Sequence, residues 1–339
     1  MRFGVMQDFR NPIRWRRPFP DFYKQILTQI QKCEDAGYDN IWLTEPHFTD
    51  DAYNPSLMTT AAAVAMKTTT IRIGTFIVIL PYQHPVLMAE QVANVDILSD
   101  GRFDLGVGQG YSHYEFDAFC MNRSERGQRT REGIQLIERL FKDEKVTFDG
   151  KYTQVKDMRL SPKPVQEPVP IWIGARGPKA ITKAAEMGYH LMATLGPDPA
   201  PIYLETLQKS GKNIEDFKIA QLRMVYCAET EDQAGAECQD HLFHMLEFYQ
   251  DILSEAADAE GDDAPLPVQK PSDMRDSVLA EHFMIGTPDQ IADKIERFSQ
   301  DFHCTDFILD SQFPGLDPSL GTRALELFAK EVMPQFQGK

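Results

Sequence analysis

The stretch Ile41–Phe48 reads IWLTEPHF and is followed by DDAYNP. Its first three residues are large and apolar, as in a buried strand, and the run stops at Glu45, Pro46 and His47. Proline has no backbone N–H to donate and pushes the preceding residue towards an extended conformation, so the strand must end here. The sequence therefore delivers an acid and an imidazole together at the carboxyl end of a strand.

Strand-like and helical runs alternate along the rest of the chain. The strand-like runs are Arg2–Gln7, the run that ends at Glu45, Ile71–Leu80, Phe103–Val107, Ile171–Gly174, His190–Thr194, Ile219–Cys227 and Phe307–Asp310. The helical runs are Phe22–Ala36, Pro55–Met66, Pro85–Leu98, Glu125–Phe141, Pro178–Met187, Pro201–Ser210, Glu231–Glu255, Pro288–Ser299 and Gly321–Val332. Successive strand–helix units force parallel strands, and eight such units indicate a closed barrel. The alternative, an open doubly wound sheet, places a G-x-G-x-x-G turn after the first strand, and none is found there.

The predicted fold is α/β, a single (β/α)8 TIM barrel over residues 1–339 with insertions in the loops after strands 4 and 7. A chain of 339 residues accommodates a barrel of typically ~250 residues plus insertions. In the first insertion, Asp149 and Gly150 predict a two-residue hairpin turn inside Val146–Val155. In the second, residues 256–282 predict a mobile acidic insertion and a candidate lid.

Composition limits the classes of partner. The formal net charge of −16 argues against nucleic acid, because phosphate binding needs clustered cations. No apolar run approaches the ~18 residues of a membrane span, and the N-terminus opens on a strand rather than a signal peptide. The five cysteines are scattered, odd in number and without metal-ligand spacing, which is typical of a reduced cytoplasmic protein.

His241 and His244 share a helix face without an evident third ligand, so we expect a surface helix and no metal site.

The carboxyl ends of the strands are where ligands bind in a parallel barrel. Beside Glu45 and His47, the third strand contributes Thr75 and Phe76, and the fourth leads into the glycine-rich loop at Gly106–Tyr111. A glycine at position 108 would allow a flat ring to lie against the backbone. The same loop is also consistent with a simple turn, so it carries little weight alone.

The junction after the fifth strand, Gly174–Pro178, reads GARGP and is the most informative of these ends. Its two glycines allow close backbone approach, and Pro178 starts a helix whose free N–H groups favour an anion, most simply a phosphate. Arg176 adds positive charge. The alternative is that the glycines only form a tight turn. The arginines of Arg126–Arg131 could add a further phosphate contact or only form a solvated helix face.

With these residues in view, the chain resembles the bacterial luciferase-like flavin monooxygenase family over nearly its full length. The segments that carry the resemblance are RFGVM at Arg2–Met6, GYDNIWLTEPHF at Gly37–Phe48, Ile71–Tyr111, FDGKYTQV, SPKPVQEPVPIWIGARGP, GTPDQIADKI and ELFAKEVMP. Together these segments are far more specific than any one of them.

The resemblance implies a barrel with a reduced flavin at its carboxyl end. Glu45 would face the pyrimidine side of the ring and His47 the reaction chamber, and the bond between Phe76 and Ile77 would be a cis peptide that supports the ring. An arginine at 126 or 129 and the helix start at Pro178 would hold the phosphate. The complete implied cofactor-binding set is Thr75, Phe76, Ile77, Gly108, Gln109, Gly110, Tyr111, Arg126, Arg129, Gly174, Ala175, Arg176, Gly177 and Pro178.

The sequence departs from luciferases proper at three positions. Luciferases carry E-H-H-F where this chain has Pro46 before His47, and their cysteine and arginine near the flavin are replaced here by Gly108 and Gln109. His47 matches the second histidine of that motif, which corresponds to the catalytic histidine of the deazaflavin-dependent branch. Light emission from an alkanal is therefore not the expected activity.

The expected function is a two-component flavin monooxygenase. A separate flavin reductase would supply reduced FMN, which would use O₂ to oxidise a small apolar organic substrate. His47 would be the general acid/base, and Glu45 would help to orient the flavin ring. One alternative keeps the fold but transfers a hydride with a deazaflavin, and another is a non-catalytic flavin-binding subunit. Family habit also implies a homodimer, or a heterodimer with a related subunit.

Overall fold

Eight parallel strands close into a barrel in the computed structural model, which describes residues 1–194, 198–256, 270–273 and 283–336. The strands in chain order are β1 (Arg2–Gln7), β2 (Asn40–Leu43), β3 (Arg72–Thr75), β4 (Val78–Ile79), β5 (Phe103–Gly108), β6 (Val146–Asp149), β7 (Gln154–Met158), β8 (Ile171–Gly174), β9 (His190–Ala193), β10 (Ile219–Cys227), β11 (Met284–Gly286) and β12 (Asp306–Asp310). Around the barrel the neighbours are β1, β2, β3, β5, β8, β9, β10 and β12, and β12 pairs with β1 to close the ring. The predicted (β/α)8 barrel is confirmed.

Helices follow the strands and cover the outside of the barrel. They are α1 (Phe19–Asp35), α2 (Leu57–Lys67), α3 (Pro85–Leu98), α4 (His113–Ala118), α5 (Arg126–Lys142), α6 (Pro178–Met187), α7 (Ala200–Lys209), α8 (Glu231–Ala256), α9 (Pro288–Asp301) and α10 (Pro318–Glu331). Within the described ranges, none of these helices combines the length and apolarity that a membrane crossing requires.

The barrel interior is filled by side chains that point inward from neighbouring strands around the ring. This inner cluster consists of Met6, Trp42, Phe76, Trp172, Met192, Ala220, Leu222 and Ile308. The rings of Trp42 and Trp172 meet edge to face with centroids 5.3 Å apart. Because these side chains close the interior, chemistry is confined to the ends of the strands.

Local sequence signals explain where several helices begin and end. Helix α6 starts at Pro178 and stops at Gly188, which adopts φ of 79° in the left-handed region that glycine tolerates best. Helix α9 begins with a capping box, in which Thr287 and Gln290 each bind the other's backbone N–H. The bounds of α6 are those predicted from the sequence, and α9 starts at the predicted residue but runs two residues beyond Ser299.

The third strand departs from the prediction of one continuous run over Ile71–Leu80. It divides into β3, which pairs with β2, and β4, which pairs with β5, and the peptide bond between Phe76 and Ile77 at the division is cis. The prediction of a single strand was wrong because apolar composition is the same on both sides of the break. The cis bond itself confirms what the family resemblance implied.

The first predicted insertion occupies its expected loop. After β5, the strands β6 and β7 form an antiparallel hairpin, but their turn is longer than two residues because Asp149 pairs with Gln154. The Glu132 carboxylate of α5 accepts the backbone N–H groups of three turn residues and so stabilises the wider turn. After β10 comes the long helix α8. The predicted lid at residues 256–282 lies outside the described residues apart from Ala256 and residues 270–273, and it stays a prediction, as does the single-domain organisation.

His190 gives the fold a pH dependence that can be measured. It lies at the start of β9 against Trp172, with ring centroids 4.7 Å apart, and its Nδ1 accepts the backbone N–H of Lys218 at 3.2 Å. Burial and the nearby charge of Lys218 lower the pKa of His190 from 6.5 to about 4. The folded protein therefore favours the neutral ring, and the unfolded chain takes up the proton first as the pH falls.

We predict that the free energy of unfolding rises with pH between about 4 and 6.5 and that His190 supplies part of this rise. His190→Asn keeps an acceptor for the backbone N–H of Lys218. The free energy of unfolding should then differ between these two pH values by roughly 1–2 kcal/mol less than in the wild type. Denaturant unfolding of both proteins at several pH values measures this difference. Parallel pH profiles for the two proteins would show that His190 does not contribute.

Candidate active site

Glu45 and His47 lie buried at the end of β2, where the sequence placed them, and are 8% and 9% exposed. The Glu45 Oε1 accepts the backbone N–H of Ile79 at 3.0 Å, which ties the second strand to β4. The His47 Nε2 lies 3.5 Å from the same oxygen without forming a hydrogen bond, and it has no other hydrogen-bond partner among the described residues. A buried polar atom without a partner is costly, so this nitrogen points to a ligand.

Glu115 is a member of the site that sequence reasoning missed. It lies in α4 and is 5% exposed. Its Oε1 accepts the backbone N–H of His47 at 2.6 Å, and its Oε2 accepts the hydroxyl of Tyr82 at 3.2 Å. Burial raises the pKa of Glu115, while the His47 N–H and the Tyr82 hydroxyl act in the opposite direction.

An aromatic wall surrounds the imidazole. The Phe119 ring meets His47 edge to face at 5.0 Å and stacks on Tyr82 at 4.7 Å between centroids. Phe48 lies 5.3 Å from Phe119 and is 56% exposed, so it forms the outer rim. Apolar rings on these sides keep water away from His47 and favour reactions in which its proton moves only to a bound ligand.

Ile77, directly after the cis bond, occupies the space that the glycines of two neighbouring strands leave open. A Cβ on Gly108 would lie 1.8 Å from the Ile77 Cδ1, and one on Gly174 would lie 3.1 Å from its Cγ2. The expected open space for a flat ring at Gly108 is therefore filled by Ile77, on which such a ring would rest instead. The Thr75 hydroxyl is already bound in the barrel wall, where it donates to the carbonyl oxygen of Gly106 and accepts the backbone N–H of Gly106.

The start of α6 is open, as an anion site requires. Gly177 and Pro178 are exposed, no side chain caps the helix, and a Cβ on Gly177 would meet nothing within 4 Å. The helix N-terminus presents unpaired N–H groups and positive dipole charge to that space. Arg176 faces the same side as Tyr111, because its charge acts to lower the pKa of the Tyr111 hydroxyl, which burial raises.

The two arginines named as alternatives for phosphate binding differ in their surroundings. Arg129 is held by Glu125 at 3.0 Å and covers the Tyr152 ring at 4.3 Å. Arg126 has no acidic partner among the described residues, and burial together with the charge of Arg123 lowers its pKa. The Arg126 Nη1 donates to the carbonyl oxygen of Arg123 at 3.3 Å. A guanidinium that no carboxylate neutralises favours an anion more than a neutralised one does. Arg126 is therefore the better candidate.

The side chain of Gln109, after the fourth barrel strand, lies against the start of α5. A Cβ on Gly127, the residue after Arg126, would lie 2.9 Å from the Gln109 Oε1. Gly110 adopts a φ of 73° and turns the chain towards Tyr111. Ala175 is buried beside α6. Of the predicted residues, Glu45 and His47 thus follow β2, Arg176 and the α6 start follow β8, and Arg126 starts α5.

A further group, on the first and second strand loops, also escaped sequence reasoning. Arg10 is 1% exposed, and its Nε donates to Asp51 at 3.0 Å while His244 of α8 lies 3.0 Å from both oxygens of Asp51. Although burial acts to raise it, the hydrogen bonds from His244 and Arg10 hold the pKa of Asp51 below its usual value. His244 and His241 are half-buried on α8, and the His241 Nδ1 lies 2.9 Å from the carbonyl oxygen of Pro314.

Comparison with known proteins decides the family. The model of the luciferase-like monooxygenase family matches residues 1–302. The chain belongs to this family. The resemblance drawn from the sequence motifs is thereby confirmed.

Relatives within the luciferase-like family differ in cofactor. The chain is 26% identical to the oxygenase component of the flavin-dependent trigonelline monooxygenase of Acinetobacter baylyi, over 93% of this chain and 90% of that protein. It is 25% identical to an F420-dependent glucose-6-phosphate dehydrogenase of Microbacterium testaceum, over 90% of this chain and 91% of that one. The solved structure of the monooxygenase RslO1 from Streptomyces bottropensis superposes with a TM-score of 0.86 at 22% identity, covering 99% of this chain and 100% of that one.

We predict that Glu115 stabilises the site through its two hydrogen bonds. Glu115→Ala should lower the free energy of unfolding by about 1–3 kcal/mol, because it leaves the His47 N–H and the Tyr82 hydroxyl unpaired in a buried place. Glu115→Gln keeps an acceptor for His47 and should cost less than half as much. Denaturant unfolding of the three proteins measures this, and equal stability of Glu115→Ala and wild type would contradict it.

Proposed function

We propose that this chain is the oxygenase component of a two-component flavin monooxygenase. The observation that carries the proposal is the buried His47 Nε2, which has no hydrogen-bond partner among the described residues and lies at the same barrel mouth as the open α6 start. The flavin-dependent relative from Acinetobacter baylyi aligns over nearly the whole chain and supports it. The groups that line the mouth fit an elongated cofactor with a planar ring and an anionic end.

Each group has a defined task in this proposal. Arg126, Arg176 and the N–H groups at the start of α6 bind the phosphate. Ile77 supports the ring, and Glu45 holds the backbone at Ile79 while facing His47.

The chemistry divides between the cofactor and the chain. Reduced FMN, when bound, supplies the electrons with which O₂ oxidises an organic substrate. His47 donates or accepts a proton through Nε2, and the rings of Phe119 and Tyr82 keep water out of the reaction.

The partners and surroundings of the protein follow from this function. A separate flavin reductase supplies the reduced FMN, as the name of the Acinetobacter relative, an oxygenase component, suggests. The second candidate function is hydride transfer with a deazaflavin, and the F420-dependent relative supports it. The homodimer or heterodimer and the cytoplasmic location stay predictions.

A comparison of FMN with riboflavin tests the assignment of Arg126, because the two molecules differ only in the phosphate. We predict that Arg126→Ala weakens FMN binding roughly 10- to 100-fold, the loss expected for one charge-assisted contact, and leaves riboflavin binding unchanged. Arg129→Ala is the matched control, because that arginine is already paired with Glu125. Fluorescence titration measures all six affinities. Equal weakening of FMN and riboflavin would remove Arg126 from the phosphate site.

Reoxidation of the bound cofactor tests the function itself. Protein loaded with reduced FMN is mixed with air-saturated buffer, and the return of oxidised-flavin absorbance is followed by stopped flow. We predict a return roughly 10-fold or more slower than for free reduced FMN, because the site excludes water and orients His47. Immediate return contradicts the monooxygenase, and binding of F420 without FMN would favour the deazaflavin enzyme.

His47→Ala should retain FMN affinity within about 3-fold and lose most of this delay, because it removes a proton donor rather than a phosphate contact. His84→Ala is the matched control, since His84 is exposed at the start of α3 and its side chain makes no cap hydrogen bond. An undiminished delay in His47→Ala would remove His47 from the mechanism.

A further inference from the structure

Two acidic side chains lie together at the mouth, on the side where the barrel closes. Asp8 follows β1 directly, Asp310 ends β12, and Met6 is paired with Asp310 in the register of these strands. Met6 and Ile308 both point into the barrel interior, and side chains alternate along a strand. Asp8 and Asp310 therefore lie one layer above the interior core, where each is 3% exposed.

The two carboxyls are poorly satisfied by the protein. The Asp8 Oδ1 accepts the backbone N–H of Arg10 at 3.0 Å, whereas Asp310 makes no side-chain hydrogen bond with the described residues. Burial raises the pKa of both groups, and Arg10 acts against the rise in both, while the charge of Asp8 adds to the rise at Asp310. Two close buried carboxyls of this kind share a proton, so that one donates and the other accepts.

Arg10 supplies an independent sign of a ligand at the same place. Its guanidinium is bound to Asp51 and covered by the rings of Phe248 and Tyr53, 4.2 and 4.8 Å from their centroids. Its Nη1 is buried and has no hydrogen-bond partner in the described part of the chain. A guanidinium has five N–H donors and no acceptor, so the spare donor needs an oxygen or another acceptor from outside the protein.

These groups lie at the barrel mouth where the flavin site is proposed. Asp8 follows β1 and Asp310 ends β12, so both belong to the carboxyl ends of the barrel strands, as do the residues of the proposed cofactor site. The Tyr249 hydroxyl lies 2.7 Å from that of Tyr53, whose ring covers Arg10, and the charges of Asp8, Arg10 and Asp310 all act on the pKa of Tyr249. Tyr249 and Arg10 in turn act on the pKa of the Tyr111 hydroxyl.

We propose that Asp8, Asp310 and the Nη1 of Arg10 form a substrate-recognition wall for a neutral group that both accepts and donates hydrogen bonds, such as a carboxamide. This inference rests on the proposed function and deepens it by naming the substrate class. It replaces the wholly apolar substrate expected from the sequence. A carbonyl oxygen accepts from Arg10, and the adjacent N–H donates to the ionised member of the acidic pair.

The charge of the wall argues against the other classes of substrate. Arg10 is already neutralised by Asp51, so the acidic pair leaves a net negative charge that repels a carboxylate. A hydrocarbon would leave the Arg10 N–H and the Asp310 carboxyl unpaired in a buried place, which costs binding free energy. A cation would satisfy the acidic pair but not the spare donor of Arg10.

Four matched probes test the wall in the FMN-loaded protein: benzamide, benzoate, benzylamine and toluene. They share one ring and differ only in the group offered to the wall, and calorimetry or ligand-observed NMR measures their dissociation constants. We predict that benzamide binds roughly 10-fold or more tightly than the other three, as expected for satisfying buried polar groups. Equal binding of the four, or binding of none, overturns the proposal.

Variants of Asp310 test whether this residue causes the preference for benzamide. Asp310→Leu should remove the benzamide preference without changing FMN affinity, and Asp310→Asn, which still donates and accepts, should retain most of it. Asp306→Asn is the matched control, because Asp306 lies at the opposite end of the same strand, paired with Arg2. A preference that survives in a folded Asp310→Leu overturns the assignment. If FMN fails to bind, the proposed function fails, and the probes applied to the free protein still decide whether the wall exists.

Discussion

The hydrogen bond from the backbone N–H of His47 to the Glu115 carboxylate is the constraint on which the site depends. Pro46 ends the second strand and gives no backbone donor of its own, so His47 leaves the sheet without ladder bonds to fix it. Glu115, presented by α4 after the fourth barrel strand, fixes it at 2.6 Å and binds the Tyr82 hydroxyl as well. One buried carboxylate thereby holds three loops in register and leaves the imidazole side chain free for a ligand.

Charged residues of both signs lie at the same barrel mouth as His47. In the proposed function Arg126, Arg176 and the start of α6 bind the anionic end of the cofactor, whereas the proposed recognition wall places a polar neutral substrate against the buried Asp8 and Asp310. His47 lies between apolar rings, where proton transfer is shielded from water.

Local signals in the sequence predicted much of the fold. Helices Pro85–Leu98 and Pro178–Met187 and the strand Ile219–Cys227 have the bounds that were expected, because prolines start both helices and turn residues flank each element. The break between Phe76 and Ile77 was implied by family resemblance rather than by composition, because β-branched and apolar residues continue across it.

The candidate site was predictable only where its residues follow strands directly. Glu45 and His47 could be found because a proline marks the end of their strand. Glu115 and Arg10 could not, because their partners are 68 and 41 residues away in the sequence and a charged residue in a helix or loop is usually a solvated one. Asp8 and Asp310 meet only because the barrel closes, and closure brings the two ends of the chain together.

A crystal structure of the protein with bound FMN tests the central claim most directly, namely that the unpaired buried groups of the mouth are kept for a flavin. The account predicts the phosphate between Arg126 and the start of α6, the ring on Ile77, and a flavin atom within hydrogen-bond distance of the His47 Nε2. A flavin bound elsewhere, or a phosphate held by Arg129 with His47 still unpaired, would contradict it.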